Sequence, residues 1–318
     1  MTANFLCQAN GAQNQGLREV LPLNRRGACL RSTLTLVAAC AVAFTHNVIL
    51  AQTFSDSVTS PMPSAATMTS SFEHLVRRHL AIPVASSGYY ATLLSTALTT
   101  EGAVEANTTF VVLVDRNPNV QALFLFLGTT AGGWNLIGAS AISTGLPGKY
   151  EHFKTPLGVF DHSRQNPDFR AEGTKNQFGI RGYGSKGGRI YDFGWVKAPR
   201  GWGDGHMGEL RLQMHSTDRD ALEQRLGTAQ SEGCIRMPAE LNEFLDVYGI
   251  LDHDYESVIA TGNHPWVLRK DRVPTAWSGR YLVVVESDAV SRPEWAQNVM
   301  KSRSRQEKSG KNPGSFLR

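Results

Sequence analysis

The sequence predicts a mainly β domain with two short helices inserted between strands, preceded by a short helical lead-in. Short apolar runs bounded by turn-forming residues are the first observation behind this prediction, and residues 110–114 and 281–286 are two such runs. Glycine-rich connections are the second, since residues 182–188 alone contain four glycines. The apolar spacing also changes from helical to strand-like near Thr108. We therefore place the main domain at residues 106–290.

Residues 1–51 have the layout of an export signal. Arginines precede an apolar run at residues 34–44, and small residues follow it. The run is too short to cross a bilayer comfortably. We predict a signal peptide that is cleaved after Ala51, with Ala43 as the second choice. An uncleaved N-terminal anchor and lipidation at Cys40 remain alternatives.

The next segment, residues 52–105, is predicted to be a linker and a helical lead-in. Its first part is rich in Ser, Thr and Pro, which is typical of a linker. An apolar helical face then runs from Phe72 to Leu80 and ends at Pro83. A second helix is predicted over residues 89–98. Both helices are expected to pack on the main domain.

Strands open the main domain as an antiparallel meander at residues 110–114, 121–127 and 134–140. Two later strands are predicted at residues 190–196 and 209–215. The first inserted helix follows directly, because the side chains just after the last of these strands can cap a helix and a glycine ends it. The second helix begins after a proline and also ends at a glycine.

The C-terminal segment, residues 291–318, is predicted to be a basic disordered tail. Its last eighteen residues hold six Lys and Arg and a single acid, Glu307, with no apolar period. A solvated tail without function is the favoured interpretation, and contact with an anionic envelope polymer is the alternative.

Composition narrows the function classes. The chain has 318 residues, of which 41% are hydrophobic and 19% charged, so most of it can bury a core. The net charge of +4 is mild, and no basic-aromatic pattern recurs, which disfavours nucleic-acid binding. The sequence has no His-Glu-x-x-His zinc motif and no phosphate-binding glycine loop. We therefore predict no metal and no cofactor.

Cys234 is the candidate reactive residue. The other cysteines, Cys7, Cys29 and Cys40, all lie in the predicted signal, so its removal leaves one thiol and no internal disulfide. A lone thiol is either an inert buried side chain or a nucleophile paired with a base. His215, nineteen positions earlier, is the natural base because its ordinary pKa is near neutrality. The alternative is a small apolar packing residue beside a satisfied core histidine.

The neighbours of Cys234 favour a reactive role. Gly233 allows a sharp turn and leaves nearby N–H groups exposed, and the N–H of Cys234 is itself a candidate oxyanion donor. Arg236 and the N-terminus of the following helix are both expected to favour a thiolate.

The spacing of these residues resembles the signature of the L,D-transpeptidases, the YkuD-type peptidoglycan enzymes. The family pattern is a His, a spacer, then Ser or Thr, usually His, Gly, Cys, a hydrophobic residue, and Arg or Asn. Here fifteen residues separate His215 from residues 231–236, which read Ser-Glu-Gly-Cys-Ile-Arg. Residues 143–145 and 155–160 also resemble the family. The resemblance covers about residues 108–250 and implies a YkuD-like β-sandwich catalytic domain.

The resemblance implies a role for each site residue. Cys234 is the nucleophile that forms a thioester, and His215 is the acid and base. The supporting residues are Ser216, whose backbone carbonyl orients the imidazole, Gly233, which lines the oxyanion hole with Cys234, Ser231, which fixes the turn, and Arg236. The arginine either bonds carbonyls of the turn, which we favour, or binds a substrate carboxylate.

The implied activity is cysteine-dependent L,D-transpeptidation of peptidoglycan stem peptides with a diaminopimelate-type acceptor amine. It would serve cell-wall crosslinking or remodelling, and so cell shape, in the periplasm or cell envelope. An L,D-carboxypeptidase or crosslink hydrolase on the same scaffold is the first alternative. A non-catalytic wall-binding protein is the second. Membrane anchoring through the N-terminus also stays open.

Glu232 departs from the family pattern, which usually has His at this position. A carboxylate beside the thiol opposes thiolate formation if it points inward. If it points outward, it either has no effect or attracts a cationic acceptor amine. The remaining histidines of the main domain are expected to be structural or surface residues: His152, His162, His206, His253 and His264.

Overall fold

The computed structural model of the chain describes residues 64–103 and 107–297. The predicted signal peptide, the start of the linker and the tail beyond residue 297 lie outside the described residues. The strands of the described part are β1 (Phe110–Asp115), β2 (Ala122–Gly128), β3 (Trp134–Ala141), β4 (Gly158–Asp161), β5 (Phe169–Arg170), β6 (Arg189–Pro199), β7 (Met207–Ser216), β8 (Ile235–Met237) and β9 (Tyr281–Val285). The helices used below are α1 (Ala65–Leu75), α2 (Val84–Thr100), α3 (Ala239–Val247) and α4 (His253–Ile259).

Two mixed sheets form the domain, which confirms the mainly β prediction. Five strands in the order β3-β2-β1-β9-β4 make the first sheet, and four in the order β5-β6-β7-β8 make the second. The predicted meander is present, since β1 pairs with β2 and β2 with β3, both antiparallel. The only parallel pairs among the named strands are β1 with β9 and β7 with β8. The second of these pairs positions the candidate site.

The first sheet is buried on both faces, which explains why its central strands are continuous apolar runs. Val112 and Val114 on β1 face the second sheet within the main core. Val111 and Leu113 face the other way, into a second core that contains Leu94 of α2. The side chains of β1 point alternately to two buried faces, so no position needs a polar residue. The strand accordingly reads Phe-Val-Val-Leu-Val before its final Asp.

The lead-in helices close the two cores from opposite sides of the first sheet. Phe72 of α1 meets Phe244 of α3 edge to face at 5.1 Å. Tyr90 of α2 stacks on Phe124 at 4.0 Å. The predicted helices are therefore present, but α1 ends at Leu75, before Pro83, and this proline caps the start of α2. The α1 helix also begins inside the segment predicted as linker.

The first inserted helix is absent, and a single 3₁₀ turn (Glu223–Arg225) takes its place. The Asp218 carboxylate accepts the N–H groups of Asp220 and Ala221, as a helix N-cap does, but the 3₁₀ turn that follows is only three residues long. Glu223 then accepts the N–H of Ala239 at 2.7 Å, so the turn caps the start of α3. The second predicted helix is confirmed as α3. The α4 helix was not predicted.

A buried charge cluster joins β6 to the segments that surround it. The Arg189 guanidinium contacts Asp168 at 2.7 Å, Asp252 at 2.6 Å and Asp246 at 3.4 Å. The His162 ring lies between Asp168 Oδ1 (2.8 Å from Nε2) and the carbonyl of Leu251 (2.7 Å from Nδ1). Both oxygens accept hydrogen bonds, so each ring nitrogen is best satisfied when it carries a hydrogen. The ring is therefore best satisfied as an imidazolium.

The His162–Asp168 pair should make stability depend on pH. Burial alone would lower the pKa of His162, but the Asp168 carboxylate outweighs it, and the net pKa is raised. The contribution is therefore full below the ordinary pKa of about 6.5 and is lost as the pH rises through the raised folded value. We expect the urea midpoint to fall as the pH rises above about 6.5, and more steeply in the wild type than in His162→Gln. Equal slopes would contradict this expectation.

The predicted tail begins too early. Trp295 is 8% exposed, and its ring contacts Tyr90 at 6.2 Å and Phe124 at 5.9 Å, so this part of the chain packs on the α2 side of the first sheet.

No helix within residues 64–103 and 107–297 is long and apolar enough to cross a membrane.

Candidate active site

Two neighbouring strands carry His215 and Cys234 to one face of the second sheet. The parallel register sets Met214 of β7 opposite Ile235 of β8, and His215 opposite Arg236. Met214 and Ile235 belong to the main core. Because side chains alternate along a strand, His215 and Arg236 lie on the other face. Cys234, directly before Ile235, shares that face.

The His215 imidazole is held in one orientation. Its Nδ1 lies 2.6 Å from the carbonyl oxygen of Ser216. A carbonyl only accepts, so Nδ1 carries the hydrogen and Nε2 presents a lone pair. Burial, followed by the charge of Arg236, lowers the pKa of His215 to about 3, although the bond to Ser216 acts in the opposite direction. The ring is therefore a neutral proton acceptor at ordinary pH.

Hydroxyl groups fix the turn that contains Cys234. Ser231 Oγ donates to the carbonyl of Cys234 at 2.5 Å and accepts the N–H of Gly233 at 3.1 Å. Thr155 Oγ1 donates to the carbonyl of Gly233 at 2.6 Å and accepts the N–H of Gly145 at 2.9 Å. The segment around Gly145 and Thr155 thus buttresses the turn from the side.

Gly233 is favoured by its backbone angle, and the space beside it is tight. Its φ is 134°, and a Cβ there would lie 2.8 Å from a methyl group of Leu210. Its N–H is used inside the turn by Ser231. Of the two N–H groups predicted for the oxyanion hole, the one of Cys234 is therefore the stronger candidate.

Cys234 is 2% exposed, and its Sγ lies 4.0 Å from the carbonyl oxygen of Arg211. It is disulfide-bonded in this structure, so the thiol chemistry considered below concerns the reduced residue. The expectation that a helix N-terminus adjoins Cys234 is wrong, because β8 and Pro238 separate it from α3. A helix dipole acts mainly within the first turn.

Arg236 contributes to the turn through its backbone and its side chain. Its N–H and carbonyl pair with Ser143, both at 2.8 Å, and Nη1 donates to the carbonyl of Gln230 at 3.2 Å. These contacts agree with the favoured prediction that it fixes the turn. Among the described residues, its buried Nε has no hydrogen-bond partner. Binding of a substrate carboxylate therefore stays open.

A cleft of about 250 Å³ ends beside this turn. Its residues combine aromatic rings with charges of both signs: Tyr150, Glu151, Phe153, Trp195, Arg200, Trp202, Gly208, Glu209, Leu210, Arg211 and Glu232. Trp202 is the centre of the aromatic part, with Phe153 at 4.8 Å and Tyr150 at 5.6 Å. The cleft approaches Cys234 through Arg211 and Glu232, although neither Cys234 nor His215 lines it.

Glu232 lines the cleft, and its charge also acts on two buried side chains. Burial is the largest influence on the pKa of Tyr183 and of Arg236, and the Glu232 carboxylate is a smaller one that acts to raise both pKa values. For Arg236, burial dominates and the net pKa is lowered. A carboxylate at this position is therefore placed to meet a ligand in the cleft.

A comparison with protein families identifies the domain. Residues 110–273 match the YkuD family, described as the L,D-transpeptidase catalytic domain. The chain belongs to the YkuD family. The match contains β1 to β8, so His215 and Cys234 both lie within the YkuD domain. None of the curated proteins matches the chain.

Two solved structures are similar to parts of this YkuD protein. Both are of the helical cell shape determining protein Pgp2 from Campylobacter jejuni, and one of them is of a mutant. The first is 16% identical, with a TM-score of 0.27, over 67% of this chain and 64% of the other. The mutant is 13% identical, with a TM-score of 0.26, over 75% of this chain and 59% of the other. The chain thus spans about three fifths of the length of these proteins.

Two of the predicted structural histidines have clear surroundings. His162 belongs to the buried charge cluster, and His206 is exposed beside Asp204. No group of three or more His, Cys, Asp or Glu within the described ranges is arranged to hold a metal.

Sequence reasoning missed Tyr183, whose ring packs on His215, because nothing in a glycine-rich loop signals such a contact.

Proposed function

We propose that the YkuD domain is a cysteine-dependent L,D-transpeptidase of peptidoglycan stem peptides. The reduced Cys234 gives its proton to Nε2 of His215, and Sγ attacks the carbonyl carbon that precedes the terminal D-residue. The C–N bond breaks, His215 protonates the leaving amine, and a thioester remains. An acceptor amine then attacks the thioester and passes its proton to His215, and Sγ leaves.

The observation that carries this proposal is the parallel register of β7 and β8. It puts His215 on the face opposite the core residues Met214 and Ile235, and Cys234, directly before Ile235, is expected on the same face as His215. The bond from Nδ1 of His215 to Ser216 supports the proposal further, because it reserves Nε2 for proton transfer. The N–H of Cys234 is the proposed oxyanion donor.

The cleft supports a peptide substrate with charged groups. Its aromatic side offers apolar contact, and its acids and arginines offer partners for the ammonium and carboxylate groups of a diaminopimelate-type residue. We place the protein in the periplasm or cell envelope, after export, where it would crosslink or remodel the wall and influence cell shape. The N-terminal segment would serve as signal or anchor.

The proposal is tested by incubating the reduced full chain with a disaccharide-tetrapeptide that ends in D-alanine. The products are analysed by mass spectrometry, with Cys234→Ala in parallel. A Cys234-dependent dimer that has lost one D-alanine supports transpeptidation. Tripeptide without dimer would indicate the hydrolase alternative. No turnover by a reduced, folded protein would leave the wall-binding alternative.

Glu232 is expected to favour a cationic acceptor. Its carboxylate can attract an ammonium group in the cleft, and a half-exposed ion pair contributes about 0.5–1 kcal/mol. We expect Glu232→Gln to lower the ratio of dimer to tripeptide by about two- to five-fold at limiting acceptor. The matched control is Glu209→Gln, which removes the charge of another carboxylate that lines the same cleft. Equal effects of both substitutions would argue against a specific role for Glu232.

A further inference from the structure

The loop before β6 places an aromatic ring on the candidate base. Tyr183 meets His215 edge to face, with ring centroids 4.6 Å apart and planes at 62°. The loop that carries it is glycine-rich and lies outside the Cys234 turn. One side of the His215 imidazole is therefore covered by a side chain that lies outside the His and Cys motifs.

A chain of hydrogen bonds fixes the position of this ring. The Tyr183 hydroxyl donates to Oε1 of Gln213 at 3.0 Å, and Nε2 of Gln213 donates to Asp192 at 2.9 Å. Arg211 also donates to Asp192, at 2.8 Å. Asp192 and Gln213 are fully buried, so the link between them is shielded from water. Since Arg211, Gln213 and His215 alternate along β7, the bonded chain runs along the same strand face as the base.

The backbone of the loop is fixed to the residue after His215. Ser216 Oγ donates to the carbonyl of Tyr183 at 3.3 Å. Gly184 has a φ of 80°, and a Cβ there would clash with Ser216 Oγ, so only glycine permits this approach. The N–H of Arg181 donates to Asp218 at 2.9 Å. Ser216, which orients His215 through its carbonyl, is thus held from the loop side as well.

Resting on the proposed function, we propose that Tyr183 is a positioning residue for the reaction. Its ring excludes water from one face of His215, and its bonded hydroxyl keeps the ring there, so that the imidazole retains its bond to Ser216 and presents Nε2. Tyr183 makes no chemical step of its own. Burial, followed by the charge of Asp192, raises the pKa of its hydroxyl, so the phenol stays neutral and keeps donating to Gln213.

Charged groups around His215 also influence its protonation, separately from the Tyr183 ring. Arg236 faces the ring from β8 and opposes its protonation, while Glu232 lies near both Arg236 and Tyr183. Asp192 and Arg211 act on Tyr183 from β6 and β7. None of these charges changes when Tyr183 is truncated. Loss of the ring therefore changes mainly the hydration of His215.

The test is an NMR titration of His215 in the reduced full chain, assigned by comparison with His215→Gln. The wild-type ring should stay neutral to about pH 3, as its lowered pKa requires. In Tyr183→Ala, water reaches the imidazole, and we expect its pKa to rise toward the ordinary value of about 6.5. Tyr183→Phe retains the ring and should give a smaller rise. Gln213→Leu removes the hydrogen bonds of Gln213 to the Tyr183 hydroxyl and to Asp192 but keeps the Tyr183 ring. It replaces Tyr183→Ala in the titration if that variant does not fold.

Turnover provides the second readout. With the wall-fragment substrate, the acid limb of kcat/KM should move to higher pH in Tyr183→Ala, with a smaller change in Tyr183→Phe. An unchanged His215 titration in folded Tyr183→Ala and Gln213→Leu would overturn the positioning role. The titration needs no turnover, so its result is separate from any failure of the proposed reaction.

Discussion

Cys234→Ala is expected to abolish transpeptidation, with a loss of about 10³-fold or more in kcat/KM. The proposed intermediate is a thioester of Cys234, and no other cysteine in residues 64–103 and 107–297 could replace its thiol. The substitution removes one buried sulfur from a turn that Ser231 and Thr155 hold through backbone atoms, so the turn should persist. The rate of dimer formation from disaccharide-tetrapeptide measures the loss.

A matched control separates loss of chemistry from loss of structure. Ser231→Ala keeps the thiol but removes the hydroxyl that joins the carbonyl of Cys234 to the N–H of Gly233. We expect it to lower both stability and rate moderately, by roughly 1–2 kcal/mol for the lost bonds. Cys234→Ala should leave the thermal midpoint of the reduced protein nearly unchanged. Retained turnover in Cys234→Ala would rule out the proposed nucleophile.

His215→Gln is expected to reduce kcat/KM by about 10²- to 10⁴-fold, the usual contribution of a general acid and base. Glutamine can still donate to the Ser216 carbonyl, but it has no group that accepts and returns a proton near neutral pH. The residual activity should rise with pH, because hydroxide can then form the thiolate without a base. A variant that loses less than about ten-fold would contradict the role of His215.

The wild-type pH profile provides an independent check on His215. A base acts only when neutral, so activity is retained above its pKa and lost below it. With that pKa lowered to about 3 by burial, the acid limb of kcat/KM should lie well below about pH 6. A limb centred near the ordinary value of about 6.5 would mean that His215 is hydrated in solution.

Sequence reasoning found the parts of the fold that strong local patterns encode. β1 and β9 are uninterrupted apolar runs, and α3 has both its apolar spacing and its end signals in the chain. The motif around His215 and Cys234 was recognisable because its residue types and spacing resemble the YkuD signature, and both residues lie within the matched domain. The register of β7 and β8 then explains why that spacing brings both residues to one face.

Other features depend on distant contacts and leave no local signal. In place of the helix predicted after Ser216 there is a 3₁₀ turn, whose Glu223 side chain bonds the distant backbone N–H of Ala239. Trp295 was assigned to a tail by composition, yet it packs on Phe124. Tyr183 lies thirty-two positions before His215, and only the folded loop brings the two rings together. The positions of these residues thus depend on side-chain contacts that are distant in sequence, and local sequence patterns do not encode them.

A Cys234 thioester can be detected in the intact mass of the reduced protein, mixed rapidly with a tetrapeptide donor and no acceptor. We expect a transient adduct equal to the donor minus D-alanine, mapped to the peptide that carries Cys234 and released by hydroxylamine. The adduct should be absent in Cys234→Ala and should form slowly in His215→Gln. Turnover without an adduct on Cys234, or an adduct on another residue, would contradict the proposed mechanism.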